Sequence, residues 1–116
     1  MNASSERMVF VVQKRHELFD LMPFSIALTW RQDKNVDVDL YFMYDAVELL
    51  REDFLAGHQD LLEILNSLLA DGAIVYACGF CSRACELSAK DYHPDVQVAN
   101  RQIFHSLMTQ RRPVYW

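Results

Sequence analysis

Short runs of apolar residues, too brief for helices and rich in β-branched and aromatic side chains, alternate along this chain with longer segments of helical periodicity. A run of that kind reads as a strand buried on both faces, and strands separated by helices pair in parallel through right-handed crossovers. The runs lie at 8–12, 36–43, 73–77, 96–98 and 114–116. This alternation predicts an α/β protein, with helices on both faces of a mostly parallel sheet of about five strands. In open sheets of this type, sites form beyond the carboxyl ends of the strands.

The segments between the runs supply the helices. Asp20 is placed to cap the first, with Pro23 in its opening turn, where a missing N–H costs little, and Ile26, Ala27 and Trp30 on its apolar face. Asp37 and Asp39 alternate on the second strand, at positions that read as solvated and close to an edge. Asp45 and Glu48 have capping-box spacing and open a helix carrying Val47, Leu49 and Leu50, which Gly57 ends. Leu61, Ile64, Leu65, Leu68 and Leu69 repeat at helical period over 60–70, and Asp71-Gly72 turns the chain into the third strand. Asn100 caps a last helix bearing Ile103, Phe104, Leu107 and Met108. Pro113 fits only the start of the final strand or a sheet edge. Met22 and Met43, like Met108, fall among core positions.

With 116 residues, 52% of them apolar, the chain predicts one domain spanning 1–116, with 1–6 as a disordered N-terminus. A formal charge of -5 argues against a protein that grips phosphate backbones, so no direct nucleic-acid binding is expected. Arg111-Arg112 reads as cations complementing a helix dipole. No stretch approaches the roughly 20 apolar residues of a membrane span, and the N-terminus lacks a basic flank followed by an apolar secretion segment. These features predict a soluble cytoplasmic protein with no membrane partner. The three glycines form no phosphate-cradling loop, and no cofactor is expected. His16, His58 and His105 are scattered at spacings that suggest no joint site.

The chemistry concentrates in Cys78, Cys81 and Cys85, the only cysteines in the chain. Three thiols crowded together in a reducing compartment point to catalysis or metal binding rather than to a disulfide framework. The apolar run 73–77 delivers Cys78 to the start of the next helix, where unpaired backbone N–H groups and the helix dipole favour a thiolate. Four uses of the cluster stay open. All three thiols can be small core residues, a reading that suits Cys85, expected in mid-helix one turn beyond Cys81. Cys78-Gly79-Phe80-Cys81 has the spacing of a disulfide-exchange motif, although a thioredoxin-like domain carries it early and needs a hairpin and a cis-proline afterwards. The three thiolates with His93 can be written as a tetrahedral zinc site, in which His93 is the weakest ligand. The fourth use is nucleophilic sulfur handling.

The order of elements, the segment Asp45-Ala46-Val47-Glu48-Leu49-Leu50 after the second strand and the junction Ala77-Cys78-Gly79-Phe80-Cys81 after the third together resemble the DsrE/TusD-like (DsrE/DsrF-like) sulfur-relay family. The resemblance covers nearly the whole chain and is clearest over 36–50 and 71–85. It implies a compact α/β/α domain that assembles as a trimer or hexamer, or with related subunits. It also implies that sulfur travels as a cysteine persulfide at the end of the third strand, between donor and acceptor proteins. That cysteine matches Cys78, and Cys81 matches a second cysteine that some members have. Two departures stand out. Relatives carry a small residue, then arginine and glycine, late in the following helix, where this chain has Ala84, Cys85 and Glu86; Ala46 also replaces a glycine after the aspartate.

The residues expected to act are therefore Cys78 as nucleophile and Cys81 as resolving thiol or bystander, supported by Gly79, Ser82 and Arg83. Without the family's arginine, thiolate activation leans on the helix N-terminus and Arg83. The expected function is a persulfide carrier in a sulfur relay, of sulfurtransferase type if active. A non-catalytic assembly or regulatory subunit and a Cys78/Cys81 redox protein are the alternatives. Nothing in the residues selects tRNA thiolation over sulfur oxidation as the pathway served.

Overall fold

The computed structural model describes residues 6–116. The predicted N-terminal tail lies outside them except for Glu6. That residue is tied down: its carbonyl accepts the Asp37 N–H, and its carboxylate pairs with Arg112 at 2.9 Å.

Five strands form one all-parallel sheet: β1 (Arg7–Val12), β2 (Asp37–Phe42), β3 (Val75–Cys78), β4 (Gln97–Ala99) and β5 (Arg112–Tyr115), in the spatial order β4-β3-β2-β1-β5. Helices cover both faces. On one side lie α1 (Leu21–Asp33), α2 (Glu52–Ala56), α3 (Gln59–Ala70) and α4 (Gly79–Ala84), around a core that includes Phe10, Phe24, Phe42, Leu50, Leu65 and Cys81. On the other, α5 (Arg101–Gln110) packs Ile103, Phe104, Leu107 and Met108 over Val9, Val11, Tyr41 and Tyr76. The strands are therefore apolar on both faces, as a parallel sheet requires. No helix among the described residues is long and apolar enough to cross a membrane.

The chain runs β1, β2, β3, β4 in one direction across the sheet and returns through α5 to place β5 beside β1. Pro113 occupies the β5 edge, opposite Val9.

Several local expectations change. Asp20 does occupy the N-cap of α1, but its carboxylate faces backward, accepting from the His16 N–H and the Arg15 guanidinium instead of capping. The segment expected to be one helix from Asp45 divides into a 3-10 helix, Tyr44–Leu50, and α2, with Met43 rather than Asp45 at the N-cap. The reason lies in its buried pairs. Ala46 with Leu49 and Val47 with Leu50 are each three apart, and all four side chains are fully buried. A three-residue period aligns such pairs, whereas the wider α-helical turn rotates them apart. Gly57 does end α2. Helix α4 is shorter than expected, so Cys85 is its C-cap and not a mid-helix residue. Met22, placed in the core by sequence, is exposed.

Asp37 and Asp39 are the largest correction. Strand β2 lies in the middle of the sheet, Asp39 is only 2% exposed, and both carboxylates are ion-paired to Arg111, at 3.1 and 3.0 Å. Arg111 thus turns into the sheet rather than complementing a helix end in solvent, and also donates to the carbonyls of Met8 and Asp37.

Candidate functional site: a thiol at the end of β3

Cys78 is at once the last residue of β3 and the N-cap of α4. The Cys81 backbone N–H donates to its Sγ at 3.4 Å, so the thiol stands where a capping oxygen would be and receives one of the helix's unpaired donors. Burial of the thiol opposes ionisation. The Cys81 backbone N–H, with the nearby Tyr41 hydroxyl, Cys81 thiol and Phe80 N–H also favouring the charged form, outweighs burial and holds Cys78 below the ordinary thiol range. The same contact, added to burial, pushes the Tyr41 phenol far up, so it stays a protonated donor.

Cys81 behaves in the opposite way. It is buried at 7% exposure within the core of the α1/α3 face, and burial together with the neighbouring Cys78 pushes its thiol up to about 11. Its thiol lies beside Cys78 and favours the charged form of that neighbour. Cys85 is pushed up by burial and by the Glu48 and Asp45 carboxylates. All three cysteines are free, but only Cys78 has the environment of a nucleophile.

The supporting residues divide by role. Gly79 is required by packing: a Cβ there would lie 2.8 Å from the Ala99 carbonyl oxygen of β4. Ser82 does not touch the thiol. Its hydroxyl donates to the Cys78 carbonyl at 2.7 Å, which makes the Tyr92 hydroxyl, 2.6 Å away, the donor to Ser82; this chain anchors α4 to the buried Tyr92. Arg83 is exposed on α4 and reaches the cavity described below.

Glu86, where the sequence resemblance expects a glycine, takes φ 60, a left-handed conformation that a glycine adopts without strain. Its N–H donates to the Arg83 carbonyl at 3.0 Å, and the Leu87 N–H to Ser82 at 2.8 Å, the Schellman closure of a helix. The segment Ala84-Cys85-Glu86 thus ends α4 in the turn that a glycine would serve.

The thiol opens onto a cavity of about 510 Å³ on the α5 side of the sheet, walled by Tyr41, Met43, Phe80, Val98 and Phe104. Phe80 is 72% exposed beside it. Sequence reasoning missed Tyr41 and the cavity. The available signal was the parallel pairing of β2 with β3, in which Tyr41 and Cys78 alternate onto the same face near the carboxyl ends of adjacent strands.

His93 is not brought to the cysteines. Its Nε2 pairs with Asn66 and its Nδ1 accepts the Asp95 N–H. Among the described residues, no group of three or more His, Cys, Asp or Glu is placed to hold a metal ion.

No protein-family model and no curated protein sequence matches the chain. Solved structures do. The ychN protein from E. coli superposes with a TM-score of 0.79 at 20% identity, covering 96% of this chain and 99% of that one. A protein of unknown function from Methanobacterium thermoautotrophicum, MTH1491, gives 0.78 at 20% identity over 97% and 100% of the two chains. A conserved protein of unknown function from Bacteroides thetaiotaomicron, BT1422, gives 0.74 at 12% identity over 100% and 98%. These likenesses establish the fold from end to end.

Proposed function

We propose that this chain is a cytoplasmic sulfur-relay protein of the DsrE/TusD-like kind, which holds sulfane sulfur as a persulfide on Cys78 and passes it to an acceptor protein. The observation that carries this reading is the state of Cys78: a thiol held toward its thiolate by surrounding donors and facing a cavity. Sulfur transfer needs a nucleophile that is ionised, accessible and a good leaving group, and those are properties of a low-pKa thiol. The Cys78 thiolate attacks the outer sulfur of a donor persulfide, R–S–SH. A Cys78 S–S bond forms, the donor's S–S bond breaks, and the donor thiolate departs with the electron pair. The donors around Cys78 then stabilise the thiolate that leaves when an acceptor takes the sulfur. Assembly as a trimer or hexamer, or with related subunits, belongs to the same proposal and is measured by light scattering.

The test is intact mass spectrometry after incubation with a sulfane-sulfur donor. The expected result is a one-sulfur adduct that is lost in Cys78→Ser and retained in Cys85→Ser. An adduct that persists in Cys78→Ser, or none in either the wild type or Cys81→Ser, ends the carrier reading.

A second reading is favoured by the Cys81 thiol resting against Cys78. Cys81 can attack the inner sulfur of the Cys78 persulfide, forming a Cys78–Cys81 disulfide and releasing hydrosulfide. Sulfide release that stops in Cys81→Ser, with the adduct now accumulating, identifies Cys81 as a resolving thiol.

A further inference from the structure

The cavity beside Cys78 carries two positive charges that the fold does not use. Arg83 of α4 and Arg101 of α5 both line it, both are exposed, and neither guanidinium forms an ion pair or hydrogen bond among the described residues. Elsewhere the arginines are committed: Arg15 to Asp20, Arg31 to Asp37 and Asp71, Arg51 to Glu48 and Asp53, Arg111 to the aspartates of β2, and Arg112 to Glu6. In an acidic protein, two unpaired guanidiniums on one cavity form a local electropositive site.

The walls between these charges and the thiol are apolar and aromatic: Tyr41, Met43, Phe80, Val98 and Phe104. At about 510 Å³ the volume is that of a small-molecule site, well above what a lone sulfur atom or inorganic anion needs. Planar guanidiniums pair with carboxylates in two-pronged fashion, and the aromatic walls suit an apolar body between carboxylate and reacting sulfur.

We propose that this cavity binds a low-molecular-weight organic persulfide with an apolar body and a carboxylate, as the donor that loads Cys78. Arg83 and Arg101 hold the carboxylate, and the walls hold the body with its outer sulfur against Cys78. The inference rests on the carrier reading above and names the substrate class for it. The step conserves atoms and electrons: Cys78–S⁻ and HS–S–R give Cys78–S–SH and R–S⁻. Cys78 rises to the persulfide level as the donor falls to a thiol. No external oxidant or reductant takes part.

The experiment compares three donors, the persulfide of 4-carboxybenzyl thiol, uncharged benzyl persulfide and inorganic hydropolysulfide, by the rate at which each adds sulfur to Cys78. The wild type should favour the carboxylated donor over the uncharged one by roughly tenfold, the scale of electrostatic enrichment in a charged cleft. R83Q/R101Q should abolish that preference. Val98→Trp, which fills the cavity from the sheet edge, should slow both organic donors about tenfold relative to hydropolysulfide. The proposal is overturned if the wild type shows no preference, if the preference survives in the double variant, or if only hydropolysulfide reacts, which would assign the cavity to a macromolecular donor. If no donor adds sulfur, the carrier reading falls. The cavity assignment is then decided by alkylation of Cys78: R83Q/R101Q should lower the iodoacetate-to-iodoacetamide rate ratio several-fold, and an unchanged ratio rejects it.

Discussion

Strand β2 ends in polar chemistry on both sides of the sheet's middle, and the two ends differ in whether that chemistry is finished. At the amino end, Asp37 and Asp39 meet Arg111 and Arg31, and the Ile74 N–H also donates to Asp39. Arg111 spreads its donors over two carboxylates and two carbonyls. Burial raises Asp39 despite these partners, while at Asp37 the two arginines outweigh burial and lower it. At the carboxyl end, Tyr41 and the start of α4 favour a charged thiolate, but no cation is paired with it. The nearby arginines face an open cavity. A saturated network at one end binds helix and strands together, whereas an unsaturated one at the other is available to a ligand.

The comparison breaks most visibly at Arg111. Arg111→Ala leaves Asp39 buried without its cation and should cost about 3–5 kcal/mol in denaturant unfolding, while Cys78 alkylation of the folded protein stays unchanged. A loss below about 1 kcal/mol would mean that the amino-end network is not structural.

Gly79→Ala acts on the other end through packing. Its new methyl would press on the Ala99 carbonyl, a backbone atom that cannot rotate away, so β4 must shift. A loss of about 1–3 kcal/mol is expected, together with altered reactivity of Cys78 toward bulky thiol reagents.

Tyr41→Phe separates activation from stability. The thiolate is the nucleophile, so alkylation rises with pH around the Cys78 pKa, which lies below the ordinary 9.0. Removing the hydroxyl should move that midpoint up and slow alkylation at pH 7 by roughly three- to tenfold. An unmoved midpoint would assign the activation to the helix N-terminus and the Cys81 thiol.

The smallest effect is expected at Glu86. Glu86→Gly relieves a left-handed backbone at φ 60 and adds chain entropy to the unfolded state, for a net gain of about 0.5 kcal/mol, read from the denaturant midpoint. A loss of stability would show that the Glu86 side chain has a role of its own.

Much of this architecture was legible because parallel sheets impose a strong pattern. The apolar runs located every strand to within a few residues, and Asn100 caps α5 as its position predicts, accepting the Ile103 N–H at 2.9 Å. Cys78 was legible because a strand-to-helix junction is a local feature. Asp39 was misread because alternation shows which face a side chain takes but not what packs on that face. Its cation comes from the far end of the chain, after α5 has crossed the sheet.

The sequence alone determined that helices alternate with buried strands, and that a thiol sits at the end of one of them, because both follow from spacing and capping within a few residues. Only the tertiary structure decided that β2 is central, and that the Tyr41 hydroxyl lies beside Cys78 while Cys81 is buried. It alone also brought Arg83 and Arg101, from different helices, to one cavity. These are meetings between distant segments, set by strand order and helix side, and no local pattern encodes a partner contributed by another element.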